Sequence, residues 1–169
     1  ARSIVTVYRV ANGSGVAGAG AMGRGIVQVA AAGGMNVLMM DTRAGAADEA
    51  RDFVAKMLSR AAEKGSMSKE DAAAATARIK VINALTEFKP CHAIIEAVVE
   101  NLDVKRQVFG ELENIVAPDC ILATNTSSMS VTSIAAKLKT PQRFAGFHFF
   151  NPVPLMRLVE VISGLLTEE

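Results

Sequence analysis

Short apolar runs alternate with longer, more polar stretches along most of this chain. The runs are Gly15-Val16-Ala17, Asn36 to Met40, Lys80-Val81-Ile82, Ala93 to Val98, Ile121 to Thr124, Phe144 to Phe147 and Leu158 to Ile162. Their near-continuous apolarity suits strands covered on both faces, as in a parallel sheet. Between them, Ala21 to Ala32, Ala44 to Lys64, Lys69 to Arg78, Leu102 to Ile115 and Val131 to Leu138 read as helices. The alternation predicts an α/β fold, a doubly wound, mostly parallel sheet. One connection is oversized: two helices follow the second strand, joined by Gly65-Ser66-Met67-Ser68. Ser68 is placed to cap the second of them, with Asp71 three residues on. The pair either enlarges the cover of the sheet or carries function of its own.

At 169 residues the chain suits one domain. Eighteen basic against 17 acidic side chains give no field for a polyanion, so nucleic acid is not an expected partner. The most apolar stretch, Val27 to Met40, is broken by Gln28, Gly33, Gly34 and Asn36 and falls short of the roughly 20 residues of a membrane span. The first residues lack the features of a signal peptide. Cys91 and Cys120 form neither a metal-ligand spacing nor a disulfide framework. No metal is expected, and a reducing compartment is: the cytoplasm, with the mitochondrial matrix as the alternative.

The sharpest local signal is Gly18-Ala19-Gly20-Ala21-Met22-Gly23, between a strand and an alanine-rich helix. The first glycine permits the turn, the second lets a pyrophosphate approach the backbone, and the third lets helix and strand pack closely. The helix N-terminus then faces the phosphates. Asp41 ends the second strand about 20 residues on, where a carboxylate accepts hydrogen bonds from ribose hydroxyls and repels a 2′-phosphate. This spacing predicts NAD, not NADP, although Arg43 leaves some tolerance for the phosphate. Asp41 also stands where it could cap the helix from Ala44. The strand feeding the loop is poor, because Asn12-Gly13-Ser14-Gly15 stand where a buried strand favours branched side chains. Residues 1–13 are expected to pair loosely or to be foreign to the domain.

His148 is one of two histidines and ends an apolar strand beside a polar turn. Imidazole has the pKa to take the proton of an alcohol as hydride leaves for a nicotinamide. Glu160 lies beyond Asn151-Pro152-Val153-Pro154, where a hairpin-like return brings it beside His148 to orient the ring. A structural, hydrogen-bonded histidine fits the same position. Ser127 and Asn151 offer short polar groups to a substrate oxygen or the nicotinamide end; equally, Ser127 could cap the next helix and Asn151 form the turn. Glu100 and Lys105 read as a solvated ion pair at a helix start, and His92 as structural.

Four segments, taken in order, carry a resemblance. They are the glycine loop, Ile95-Glu96-Ala97-Val98-Val99-Glu100-Asn101-Leu102-Asp103-Val104-Lys105, Thr124-Asn125-Thr126-Ser127-Ser128 and Gly146-Phe147-His148-Phe149-Phe150-Asn151-Pro152. From about residue 14 to 169 the chain resembles the NAD-binding domain of the L-3-hydroxyacyl-CoA dehydrogenases, which include the 3-hydroxybutyryl-CoA dehydrogenases. The resemblance implies that His148 and Glu160 are the catalytic pair and that Ser127 and Asn151 line the reaction site. It also implies that Glu100 and Lys105 contact NAD, and that the helical pair projects from the sheet to help hold an acyl-CoA thioester through Lys64. The family's second, helical domain, which supplies the homodimer contact, is expected to lie outside residues 1–169, leaving a cofactor domain with little activity alone. The alternatives are a dehydrogenase of 3-hydroxy acids such as sugar acids, working without CoA, and a non-catalytic NAD-binding domain.

Overall fold

The computed structural model describes residues 13–168; apart from Gly13, the segment expected to pair loosely lies outside them. Seven strands form one sheet: β1 (Ser14–Ala17), β2 (Val37–Met40), β3 (Ile79–Val81), β4 (Ala93–Glu96), β5 (Ile121–Thr124), β6 (Phe144–Phe149) and β7 (Val159–Ser163). Their order is β3-β2-β1-β4-β5-β6-β7. All neighbours pair in parallel except β6 and β7, which are antiparallel. The chain runs outward from β1 to β3 and then returns to β4 on the other side of β1. Strand order therefore reverses between β1 and β4, and a crevice opens there beyond the strands' C-terminal ends.

Among the described residues, five helices cover the sheet: α1 (Ala21–Ala32), α2 (Ala46–Glu63), α3 (Lys69–Ala77), α4 (Leu102–Ile115) and α5 (Val131–Ala135). Ile26, Val27, Val37, Met39, Val54 and Leu58 form the core under α1, α2 and α3. Phe88, Ile94, Phe109, Leu122, Ile134 and Phe144 fill the other, where the Phe109 and Phe144 rings meet edge to face at 4.6 Å. α5 stops at Ala135, short of the expected Leu138, because the chain turns and buries Leu138 with its amide on the Ala135 carbonyl.

The oversized connection is integral to the fold. Ala46, Ala50, Val54 and Leu58 of α2 are buried, and the Arg78 guanidinium after α3 donates to the Ala31 carbonyl of α1. Ser68 caps α3 as expected, accepting from the Asp71 amide at 2.9 Å. The tip of the pair, Glu63 to Ser66, is exposed.

Gly15 of the poor first strand has a physical reason. Phe88, in a 3-10 turn at Leu85–Phe88, is fully buried against β1. A Cβ on Gly15 would lie 2.6 Å from its ring and 3.2 Å from Cys91 Sγ. The volume a branched residue would occupy is taken by an aromatic ring from across the sheet. Burial there pushes the Cys91 thiol up to about 12, which makes it unreactive. Gly15→Ala should therefore cost about 1–3 kcal/mol by overpacking, and clearly less in a Phe88→Leu background; urea unfolding of both pairs checks this.

Candidate cofactor and active site

The loop between β1 and α1 separates two uses of glycine. Gly18 has φ +108°, and a Cβ there would lie 2.5 Å from the Ala97 carbonyl oxygen. A Cβ on Gly23 would overlap the carbonyl oxygen of Gly18. These two let β1, β4 and the first turn of α1 close on one another. Gly20 is different: it is the N-cap of α1 with φ −67°, and a Cβ there would meet nothing within 4 Å. No protein atom needs glycine at that position, but a diphosphate approaching the backbone does. No side chain among the described residues caps α1, which leaves its first amides to face an anion. Ala19 is buried and Ala21 exposed, while Met22 lines the adjoining cleft.

Asp41, beyond the end of β2, accepts the Ala19 amide at 2.7 Å and the Arg43 amide at 2.8 Å. The N-cap of α2 is Gly45, so Asp41 does not cap that helix. Its carboxylate is held against the glycine loop, a charge that disfavours a 2′-phosphate. The Arg43 guanidinium meets Glu49 through both terminal nitrogens, at 2.7 and 3.2 Å. The hydrogen bond and the opposite charge raise Arg43 and lower Glu49 from their ordinary values. The cation expected to tolerate a phosphate is already engaged.

Antiparallel pairing sets Glu160 of β7 directly opposite His148 of β6. His148 Nδ1 lies 3.0 Å from Glu160 Oε2. An ionised carboxylate can only accept, so it holds the ring proton on Nδ1 and leaves the Nε2 lone pair as a base. The ring packs on Phe150 at 4.5 Å between centroids. The Asn125 side-chain Oδ1, after β5, accepts the Phe149 amide at 2.9 Å and fixes the end of β6. His148, Ser127, Asn151, Glu100, Lys105 and Met22 all line one cleft of about 390 Å³. Ser127 is exposed and caps nothing, since Ser130 caps α5. Asn151 is exposed at the turn into Pro152, and Val153 beyond it is buried on α1 where Gly25 has no side chain.

Glu100 and Lys105 are not a solvated pair. The Lys105 side chain is 1% exposed and lies 2.7 Å from Glu96, which is fully buried, and 3.6 Å from Glu100. Glu96 also accepts the Val98 amide and the Thr124 hydroxyl, each at 2.7 Å. Removing one partner of such a buried pair costs about 3–5 kcal/mol. In the sequence, the one signal of Glu96 is a lone carboxylate inside the apolar run from Ala93 to Val98. Asn125 lines the cleft as well, and the buried Thr126 beside it donates to Glu100 and accepts the Met129 amide. Lys64 stands exposed at the C-terminal cap of α2 and is not among the residues lining the cleft.

A glycine loop at the sheet's reversal point, a carboxylate at the end of β2 and an uncapped helix pointing between them define a Rossmann dinucleotide-binding domain. Residues 14–169 match the family model of the 3-hydroxyacyl-CoA dehydrogenase NAD-binding domain. A probable 3-hydroxybutyryl-CoA dehydrogenase of Bacillus subtilis is 46% identical over 91% of this chain and 54% of its own length. The crystal structure of (S)-3-hydroxybutyryl-CoA dehydrogenase from Ralstonia eutropha superposes with a TM-score of 0.89 at 42% identity, over 93% of this chain and 56% of that one. A diketoreductase acting on dicarbonyl compounds superposes at 0.86 with 25% identity, over 92% and 56% of the two chains. The chain belongs to the 3-hydroxyacyl-CoA dehydrogenase family and comprises its NAD-binding domain. It spans about half the length of these relatives.

Gly20→Ala should leave the melting temperature unchanged yet weaken NADH about ten-fold or more, the scale of a lost charge-assisted hydrogen bond. Gly23→Ala should instead lower the melting temperature itself. Calorimetric titration beside thermal melts separates the two. Glu49→Gln frees Arg43 and should improve NADPH affinity about two- to five-fold, the scale of an exposed ion pair, with NADH unchanged in the same titration.

Proposed function

We propose that the whole protein of which this chain is a part interconverts an L-3-hydroxyacyl-CoA and a 3-oxoacyl-CoA with NAD. The observation that carries this reading is the 3.0 Å contact of His148 Nδ1 with Glu160, in a cleft shared with Ser127 and Asn151. Bound NAD supplies the hydride acceptor. His148 Nε2 takes the proton of the substrate hydroxyl, and Glu160 stabilises the imidazolium that results. Ser127 and Asn151 hydrogen-bond the reacting oxygen and the nicotinamide end, so the carbon to be oxidised is held in line. In the reverse direction the imidazolium returns the proton to the new alkoxide. Lys64, on the exposed tip of the helical pair, serves the CoA portion as a flexible cation.

The same reading gives these residues the part of cofactor domain. Leu155, Met156 and Leu158, between β6 and β7, are 76, 43 and 51% exposed. They form an apolar face suited to cover by a further domain, through which the protein pairs as a homodimer. Two buried free thiols, Cys91 and Cys120, suit a reducing compartment such as the cytoplasm. No helix among the described residues is long and apolar enough to cross a membrane.

The likeness to a reductase of dicarbonyl compounds favours one second reading, a dehydrogenase of 3-hydroxy acids without CoA. Lys64→Ala in the full-length protein separates the two: it should raise KM for acetoacetyl-CoA and leave kcat unchanged. An unchanged KM removes the argument for CoA on the helical pair. The chemistry is tested by His148→Gln, expected to lower kcat about 10²–10⁴-fold, the range of general acid–base catalysis. Glu160→Gln should lower it less, with NADH affinity intact in both. Full activity of His148→Gln would overturn the mechanism.

A further inference from the structure

Glu96 takes no part in the chemistry above, yet it is the most deeply buried charged group among the described residues, at 0% exposure. It ends β4 beside the crevice and collects three donors from three elements: the Val98 amide, the Thr124 hydroxyl of β5 and the Lys105 ammonium of α4. Lys105 in turn faces Glu100 at 3.6 Å. Glu100 accepts the Thr126 hydroxyl at 3.0 Å and the Ser127 amide at 3.3 Å, and the Thr126 hydroxyl accepts the Met129 amide at 3.0 Å. A continuous line of polar contacts thus runs from the sheet's interior to Ser127 at the cleft.

We infer that Glu96 is a positioning residue for the nicotinamide end of the cofactor site, acting through Lys105 and Glu100 to place the Thr126–Ser127 turn. This rests on the reading of the cleft as that end of the NAD site. The physical reason lies in the charge sequence. Glu100 is 44% exposed and on its own would swing into water. A lysine behind it holds it inward, but an isolated buried lysine is costly. Glu96 neutralises the lysine from the dry side and fixes it by hydrogen bonds, so Glu100 faces an immobile cation. The glycine loop and Asp41, which serve the adenosine and diphosphate, make none of these contacts.

The proposal therefore predicts a split between ligands. Titration of this chain with NADH and with ADP-ribose, which lacks the nicotinamide, reads it directly. Glu96→Gln keeps a group able to accept from Val98 and to hydrogen-bond Thr124 while removing the charge. It should weaken NADH about ten-fold, the scale of one charge-assisted bond, and leave ADP-ribose within about two-fold. Lys105→Met should give the same split, and Glu96→Gln added to Lys105→Met should weaken NADH no further. Should the single variants not fold, the double variant, with a neutral buried pair, and Thr124→Val carry the test: both should weaken NADH more than ADP-ribose. Parallel loss of both ligands, or NADH affinity unchanged in the folded variants, overturns the role of Glu96. If wild-type chain binds ADP-ribose and NADH equally, the reading of the cleft as a nicotinamide site fails instead, and the proposal with it.

Discussion

The closure of Gly23 onto the carbonyl of Gly18 is the constraint on which the site depends. It brings the first turn of α1 against the end of β1, and Gly18 itself lies against Ala97 after β4. The two strands whose order reverses are thereby locked at their C-terminal ends, and the amides of α1 face the crevice between them. With side chains at Gly18 and Gly23 the helix would stand away from the sheet, and the anion-binding end would no longer point at the loop that Asp41 holds. Gly20 is free of this duty, which is why its lack of a side chain speaks of a ligand and not of packing.

Around that closure, the polar groups divide by depth. Asp41 binds two backbone amides at the surface and joins the loops after β1 and β2. Glu96 does the equivalent work in the interior, tying the ends of β4 and β5 to α4. Each carboxylate satisfies groups that a crevice at the end of a parallel sheet necessarily exposes, since the strands stop there and their ladder partners run out. The same groups that complete the fold therefore shape the cofactor site, and the two cannot be altered independently except at positions such as Gly20.

Much of this was legible in the sequence because it is local or periodic. Helix limits followed from runs and caps, as at Ser68, and the glycine loop with Asp41 declares itself by spacing. The pairing of His148 with Glu160 was legible because the Asn151-to-Pro154 turn forces a return, and an antiparallel return fixes the register. What stayed hidden depends on partners that sit on other elements. Gly15 looked like a defect because nothing near it announces the Phe88 ring. Lys105 read as solvated because its neighbour Glu100 is visible in sequence, whereas the partner that buries it, Glu96, sits on another element. Burial of a charge is a property of three-dimensional neighbours, and spacing along one helix carries none of it.

The division between what this domain holds and what catalysis requires follows from exposure. The His148 side chain is 19% exposed but Glu160 is 42% exposed, and Ser127 and Asn151 face solvent. Across a wet cleft the attraction between imidazolium and carboxylate is screened, and the donors on Ser127 and Asn151 compete with water for the reacting oxygen. The register of β6 and β7 sets His148 opposite Glu160, and on the proposed mechanism that pairing aims the base. The strength of these contacts is a separate matter, because it grows only as water leaves the cleft and the local dielectric falls. On the proposed mechanism, chemistry therefore depends on open contacts at β7, whereas the glycine loop that would hold the dinucleotide is fixed by close backbone packing.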